Sequence, residues 1–122
     1  MQDDLETMIA IYQTSDVDWM GDKVEDLKDL TRHHIVKKAK GGIDHISNYA
    51  LLTVRSHQVL HYLEDNNYGA YFELNRMFRE LNMTLKPPTK EYYQEVSLLL
   101  KKVKRQIKRE NRKRRIKKTK SR

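Results

Sequence analysis

Five histidines occur in the 122 residues, and four of them fall into two tight groups, His33-His34 and His57/His61. Residues four apart on a helix share a face about one turn apart, so His57 and His61 have a metal-chelating spacing. The same spacing also occurs on solvated helix faces. A zinc-protease signature needs Glu directly after the first histidine of such a pair, and Gln58 stands there, which argues against peptide hydrolysis. The adjacent pair adds a second element. Neighbouring side chains on a strand point to opposite faces, so one of His33 and His34 can join the helical pair while the other faces elsewhere. Three imidazoles on a metal plus one unligated imidazole is what hydrolysis requires: an ion with open positions and a base that titrates near neutrality.

Those side chains need a strand, a turn and a helix to hold them. Leu30 through Val36 reads as a short strand, Lys37 to Asp44 as a loop around Gly41-Gly42, and Ile46 to Thr53 as a return to extended structure. Ser56 is the expected N-cap of a helix carrying His57, Leu60, His61 and Leu63. Ahead of this unit, Leu5, Met8, Ile9 and Tyr12 mark an amphipathic helix over Asp3–Gln13, followed by a turn over Thr14–Gly21 in which Trp19 is the expected anchor. Behind it, Tyr71, Leu74, Met77, Phe78 and Leu81 form the apolar face of another helix, which Pro87-Pro88 cannot continue. Thr89 is placed to cap a last helix with the face Tyr92, Val96, Leu99, Leu100, Val103 and Ile107, expected to fray past Ile107. His45 reads as an exposed loop residue, and no internal repeat is visible.

The run Thr31-Arg32-His33-His34-Ile35, the Gly41-Gly42 loop, Asn48 ahead of Leu51-Leu52, and His57-x-x-x-His61 closely resemble the motif of the HNH nucleases. The resemblance covers roughly residues 29–64 and implies a ββα-metal core, a two-stranded hairpin and helix around one divalent ion. Carried over by position, His33, His57 and His61 resemble the metal ligands, His34 the general base, and Asn48 the residue that orients the loop holding that base. The family uses magnesium, manganese, nickel or zinc; three imidazoles favour a borderline transition ion by softness. The two cysteine pairs that brace many members are absent, so the flanking helices must brace this hairpin. The whole chain is thus expected to be one mostly helical α+β domain. Its parts are an N-terminal helical segment (1–27), the ββα-metal core (28–64), flanking helices (67–100) and a basic C-terminal helix or tail (101–122).

Charge is distributed unevenly. Residues 101–122 carry fourteen Lys/Arg against Glu110 alone, a net of +13, so residues 1–100 carry −5 of the whole chain's +8. Such a tail suits a polyanion, because phosphates neutralised by Lys/Arg release counterions. The expected phosphate contacts are Lys37, Lys38, Lys40 and Arg55 beside the motif. On the tail they are Lys101, Lys102, Lys104, Arg105, Lys108, Arg109, Arg112, Lys113, Arg114 and Arg115. These add affinity without reading sequence. No apolar run approaches the roughly 20 residues that cross a bilayer, and the acidic N-terminus (Asp3, Asp4, Glu6) has the wrong sign for a signal peptide. A cytoplasmic setting with no membrane partner is therefore expected. Without cysteine, disulfides and cysteine zinc knuckles are excluded within this sequence.

The expected activity is hydrolysis of nucleic-acid phosphodiesters, with double-stranded DNA as the first substrate. The resemblance implies 5′-phosphate and 3′-hydroxyl products and, by analogy with compact phage and mobile-element members, a protein partner that supplies targeting. Two other readings stand beside it. One is a non-catalytic nucleic-acid-binding protein with a structural ββα metal site. The other is a basic-helix protein of a membrane surface or ribosome, in which the motif is coincidental.

Overall fold

In a computed structural model, the described backbone covers residues 4–12 and 16–120, and the described side chains cover 6–10 and 16–113. Helix α1 (Asp4–Tyr12) is followed by an antiparallel hairpin of β1 (Thr31–His34) and β2 (Tyr49–Leu52), then α2 (Val54–Asn66), α3 (Tyr68–Thr84) and α4 (Lys90–Lys120). The chain is therefore mostly helical α+β, as the sequence pattern predicts. Among the described residues no helix is long and apolar enough to cross a membrane.

The hairpin register pairs Thr31 with Leu52 and His34 with Tyr49. All four residues of β2 are buried, because α3 covers one side and the N-terminal segment the other. The strand is shorter than the Leu30–Val36 read from sequence. Beyond His34 the pairing passes to Asn48, whose carbonyl accepts from Ile35 N at 2.9 Å and whose side chain takes the Val36 N–H. Gly41 adopts φ +90°, and a Cβ at Gly42 would lie 1.8 Å from the Val36 carbonyl oxygen. The glycine pair is thus needed for conformation at one position and for close approach at the next.

Helix α2 begins three residues earlier than Ser56 suggested. Thr53, extended at φ −63° and ψ 163°, is its N-cap, and its Oγ1 accepts from Ser56 N at 3.2 Å. The strand runs directly into the helix, so the cap falls on the last non-helical residue and Ser56 lies buried inside the first turn. Asp18 fixes this junction. Shielded from solvent, it accepts from Met20 N, Asp22 N and Thr53 N, tying the N-terminal turn to the start of α2. Trp19 is buried against Phe78 at 5.9 Å, the anchoring role expected for it.

A single residue, Asn67, caps the end of α2 and the start of α3, forcing a sharp reversal. The predicted α3 face of Tyr71, Leu74, Met77, Phe78 and Leu81 is buried throughout. Burial of this kind is worth about 1.5–3 kcal/mol per large apolar side chain. The helix stops at Thr84, capped by Leu85 in the left-handed region (φ 50°), two residues before the prolines. Thr89 does cap α4, accepting from Tyr92 N at 3.2 Å. Val96 and Val103 are buried on the core with Tyr92, Leu99, Leu100 and Ile107 half-buried beside them. Contrary to the expected fraying at Ile107, α4 continues to Lys120. Straight-chain Lys and Arg lose little rotamer freedom in a helix, so propensity sustains it where the apolar stripe ends. Of the predicted α1 face, Met8 is buried and Ile9 packs beside it, while the side chains of Leu5 and Tyr12 lie outside the described residues.

Candidate active site

The hairpin and α2 bring three of the predicted imidazoles together. The His33 ring centroid lies 5.6 Å from His57 and 6.4 Å from His61, and His57 stacks on His61 at 4.7 Å. Alternation along β1 separates the adjacent pair: His33 is 4% exposed and faces α2 and α3, while the side chain of His34 is 29% exposed.

Two of the three rings have a defined hydrogen-bond partner. The Thr31 hydroxyl donates to the Leu52 carbonyl at 2.7 Å, so its oxygen must accept from His57 Nδ1–H at 2.8 Å, which leaves His57 Nε2 with the free lone pair. His33 Nε2 donates to Asn75 Oδ1 of α3 at 2.8 Å, leaving Nδ1 as the basic nitrogen. His61 Nδ1 lies 3.5 Å from Glu64 Oε1, at the outer limit of such a contact. Glu64 also pairs with Lys37. Burial pushes the His33 pKa down to about 4, against a smaller opposing effect from the Asn75 bond. His57 is lowered too, first by desolvation and then by the neighbouring His61. Both are therefore neutral near pH 7, the state in which imidazole ligates a metal.

Three clustered imidazoles, of which His33 and His57 are held neutral, suit a divalent ion. Rings around one tetrahedral ion at a nitrogen distance of about 2.0–2.1 Å have centroids roughly 5 Å apart, close to the spacing found here. The nitrogens are not closed on a common point: among the described residues no set of three or more His, Cys, Asp or Glu is already in metal-holding geometry. His57 and His61 instead stack nearly parallel, with 16° between their ring planes.

On the other face of β1, His34 Nε2 donates to Asp44 Oδ1 at 2.7 Å, and its ring meets Tyr49 edge-on at 5.3 Å. That bond occupies Nε2 and leaves Nδ1 as the other ring nitrogen. Hydrogen bonds from Lys38 and then from His34 hold the Asp44 carboxyl below the usual carboxylate range. Asn48 is buried and clasps the intervening loop: its Oδ1 accepts from Val36 N, and its Nδ2 donates to the carbonyls of Val36 and Ile43. It fixes both ends of the loop that carries Asp44. No family model, curated protein or solved structure matches the chain.

The basic residues divide into paired and open. Lys37, Lys38 and Arg55 are engaged with Glu64, Asp44 and Asp22, whereas Lys40 is exposed with no carboxylate partner among the described residues. Along α4, Lys101, Lys102, Lys104, Arg105, Lys108, Arg109, Arg112 and Lys113 are all exposed; the side chains of Arg114 and Arg115 lie outside the described residues. A wide concavity of about 670 Å3 between α2 and α4 contains none of the histidines. The imidazole cluster itself grades from buried His33 through half-buried His57 to exposed His61.

Thr31, Asp44 and Asn75 complete the site without standing out in the sequence. Thr31 was within reach of a sequence reading, since it lies two residues before His33 and so on the same face of the strand. Asn75 is a polar interruption beside the apolar stripe of α3, and only docking of α3 on the hairpin puts it against His33. His45 is exposed and caps the turn at Ile46–Asn48, as a loop residue should.

Proposed function

We propose that this chain is a metal-dependent endonuclease of the HNH type, hydrolysing nucleic-acid phosphodiesters, with duplex DNA as the expected substrate. The observation that carries this reading is the division of labour on β1. His33 joins His57 and His61 in a cluster of imidazoles, and His34 stands apart, oriented by a carboxylate. His33, His57 and His61 would hold one divalent ion in a ββα-metal core. When bound, that ion supplies Lewis-acid stabilisation of the charge that develops on the phosphate and leaving oxygen.

The chain's own residues do the rest. His34 Nδ1 takes the proton of the attacking water, and Asp44 stabilises the imidazolium that results. Asn48 keeps the loop, and with it Asp44, in register with His34. Thr31 and Asn75 fix the tautomers of His57 and His33 so that each offers one nitrogen. Exposed cations on α4 hold the phosphate backbone without reading bases.

Supercoiled plasmid incubated with the protein in EDTA, magnesium, manganese, nickel and zinc tests the reading. Nicked or linear product with at least one ion and none in EDTA is expected. Intact plasmid with every ion, alongside retained DNA binding, would instead favour a structural metal site in a non-catalytic binding protein.

A further inference from the structure

The outer face of α3 is a feature the nuclease reading leaves unused. Tyr68 and Phe72 are 56% and 58% exposed, although the opposite face of the same helix is core. They line one side of a cleft whose other side is the loop after β1, and Lys40, Asn75, Arg76 and Arg79 complete it. Arg76 is spent on Glu73 and Glu80, at 2.9 and 2.8 Å. Lys40 and Arg79 are exposed and have no carboxylate partner among the described residues. Two exposed aromatic rings, Tyr68 tilted against Tyr71 at 5.6 Å, beside two open cations form the pattern of a single-strand nucleic-acid surface, where bases stack and phosphates are held.

Spacing distinguishes one strand from a duplex. Four residues of helix separate Tyr68 from Phe72 by about 6 Å along the axis. Bases stacked in a duplex strand rise by only about 3.4 Å each. Side chains rooted at the wider interval suit successive bases of an extended, unpaired strand. The cleft is also continuous with the candidate active site, because Asn75 lines it while holding His33, and Tyr71 lines it while packing on His33 at 6.4 Å.

We propose that this cleft binds unpaired nucleotides next to the scissile phosphate, with Tyr68 and Phe72 stacking on bases and Lys40 and Arg79 holding phosphates. The substrate class is then nucleic acid with a single-stranded stretch, such as a flap, gap or melted junction. The proposal rests on the nuclease reading for the chemistry next to the cleft, but strand binding there is measurable without any metal.

The test is fluorescence anisotropy of the full chain in EDTA with a labelled dodecathymidylate and with a duplex of the same length, across a salt series. Tyr68→Ala/Phe72→Ala is expected to weaken binding of the single strand about tenfold or more, with duplex affinity changed less than about twofold. Neither residue is charged, so the salt slope should stay as in wild type, whereas Lys40→Gln/Arg79→Gln should make it shallower by about 0.7 for each of the two phosphates released. Phe72→Leu keeps apolar bulk and a secure fold while removing the π face, and should reproduce a clear part of the single-strand loss. Equal losses on both ligands, no loss on either, or full retention by Phe72→Leu would overturn the proposal; no loss on either would point to a protein partner for this face. Retained single-strand binding by a protein that cleaves nothing with any ion would retire the nuclease reading and leave the cleft assignment standing.

Discussion

His33 is packed among His57, Tyr71 and Phe78 and donates to an amide oxygen, whereas His34, one residue on, is partly open to solvent and donates to a carboxylate. The two share backbone, strand and residue type. They differ because β1 alternates its faces, one against α2 and α3 and the other against the loop that Asn48 closes. Burial keeps the first neutral and suits it to ligation. A carboxylate, that of Asp44, holds the ring of the second. A single strand can therefore supply two different chemical roles from two adjacent identical residues.

The largest expected effects come from removing each ring in turn. His34→Ala should lower turnover by about 10²–10⁴-fold, the usual contribution of a general base, while leaving metal affinity nearly intact. His57→Ala and His61→Ala should weaken metal binding and lower the melting temperature of the metal-bound protein only, since an ion that binds only the folded state stabilises it by mass action. Calorimetric titration alongside plasmid cleavage separates the two classes. If His34→Ala lost metal binding as fully as His57→Ala, the roles of the neighbouring histidines would be reversed.

The tail sharpens the comparison from outside. Truncation after Lys108 removes nine cations and one acid, all beyond Ile107, the last half-buried side chain of the apolar stripe among the described residues. Turnover at saturating DNA should change little and the apparent KM should rise. The slope of log affinity against log salt should become shallower by about 0.9 for each phosphate that the shortened chain no longer neutralises. A truncated chain that binds and cleaves like the whole one across a salt series would assign the tail's charge to another partner.

Proton linkage gives the next effect, in the metal-free protein. The folded-state pKa of His33 is depressed to about 4 from 6.5, so the unfolded chain takes up a proton that the folded chain refuses. Stability should be full above pH 6.5 and fall as the pH drops from 6.5 toward 4, by at most about 3 kcal/mol for this group. Half-buried His57, shifted the same way, adds a smaller loss on the acid side. Urea unfolding of wild type and His33→Asn at pH 7 and pH 4.5 would measure it, with a flatter profile expected for the variant.

The smallest effects distinguish the partners of the two histidines. Asn75→Ala leaves a buried imidazole N–H without its acceptor and should cost about 1–3 kcal/mol of stability. Asp44→Asn lies on an exposed loop, so the melting temperature should hold while turnover falls. If Asp44→Asn unfolded the protein and left turnover unchanged, the contrast between the two faces would collapse.

Much of this architecture was legible in residue order, because hydrophobic periodicity and turn chemistry are local properties. The α3 and α4 faces, the hairpin about Gly41-Gly42 and the grouping of the histidines follow from 3.6- and 2-residue periods and from the backbone demands of the turn. The helix start at Thr53 was not legible. Both Thr53 and Ser56 can cap, and only the abrupt end of β2 decides between them. Nor was the partner that fixes His33: Asn75 lies 42 residues away, and nothing local links them until α3 packs across the hairpin. Sequence determined which side chains were available and that His33 and His34 take opposite strand faces. Tertiary packing decided how deeply His33 is buried, which nitrogen each ring leaves free and where an aromatic cleft adjoins them, because desolvation and long-range hydrogen bonds exist only once the elements have docked.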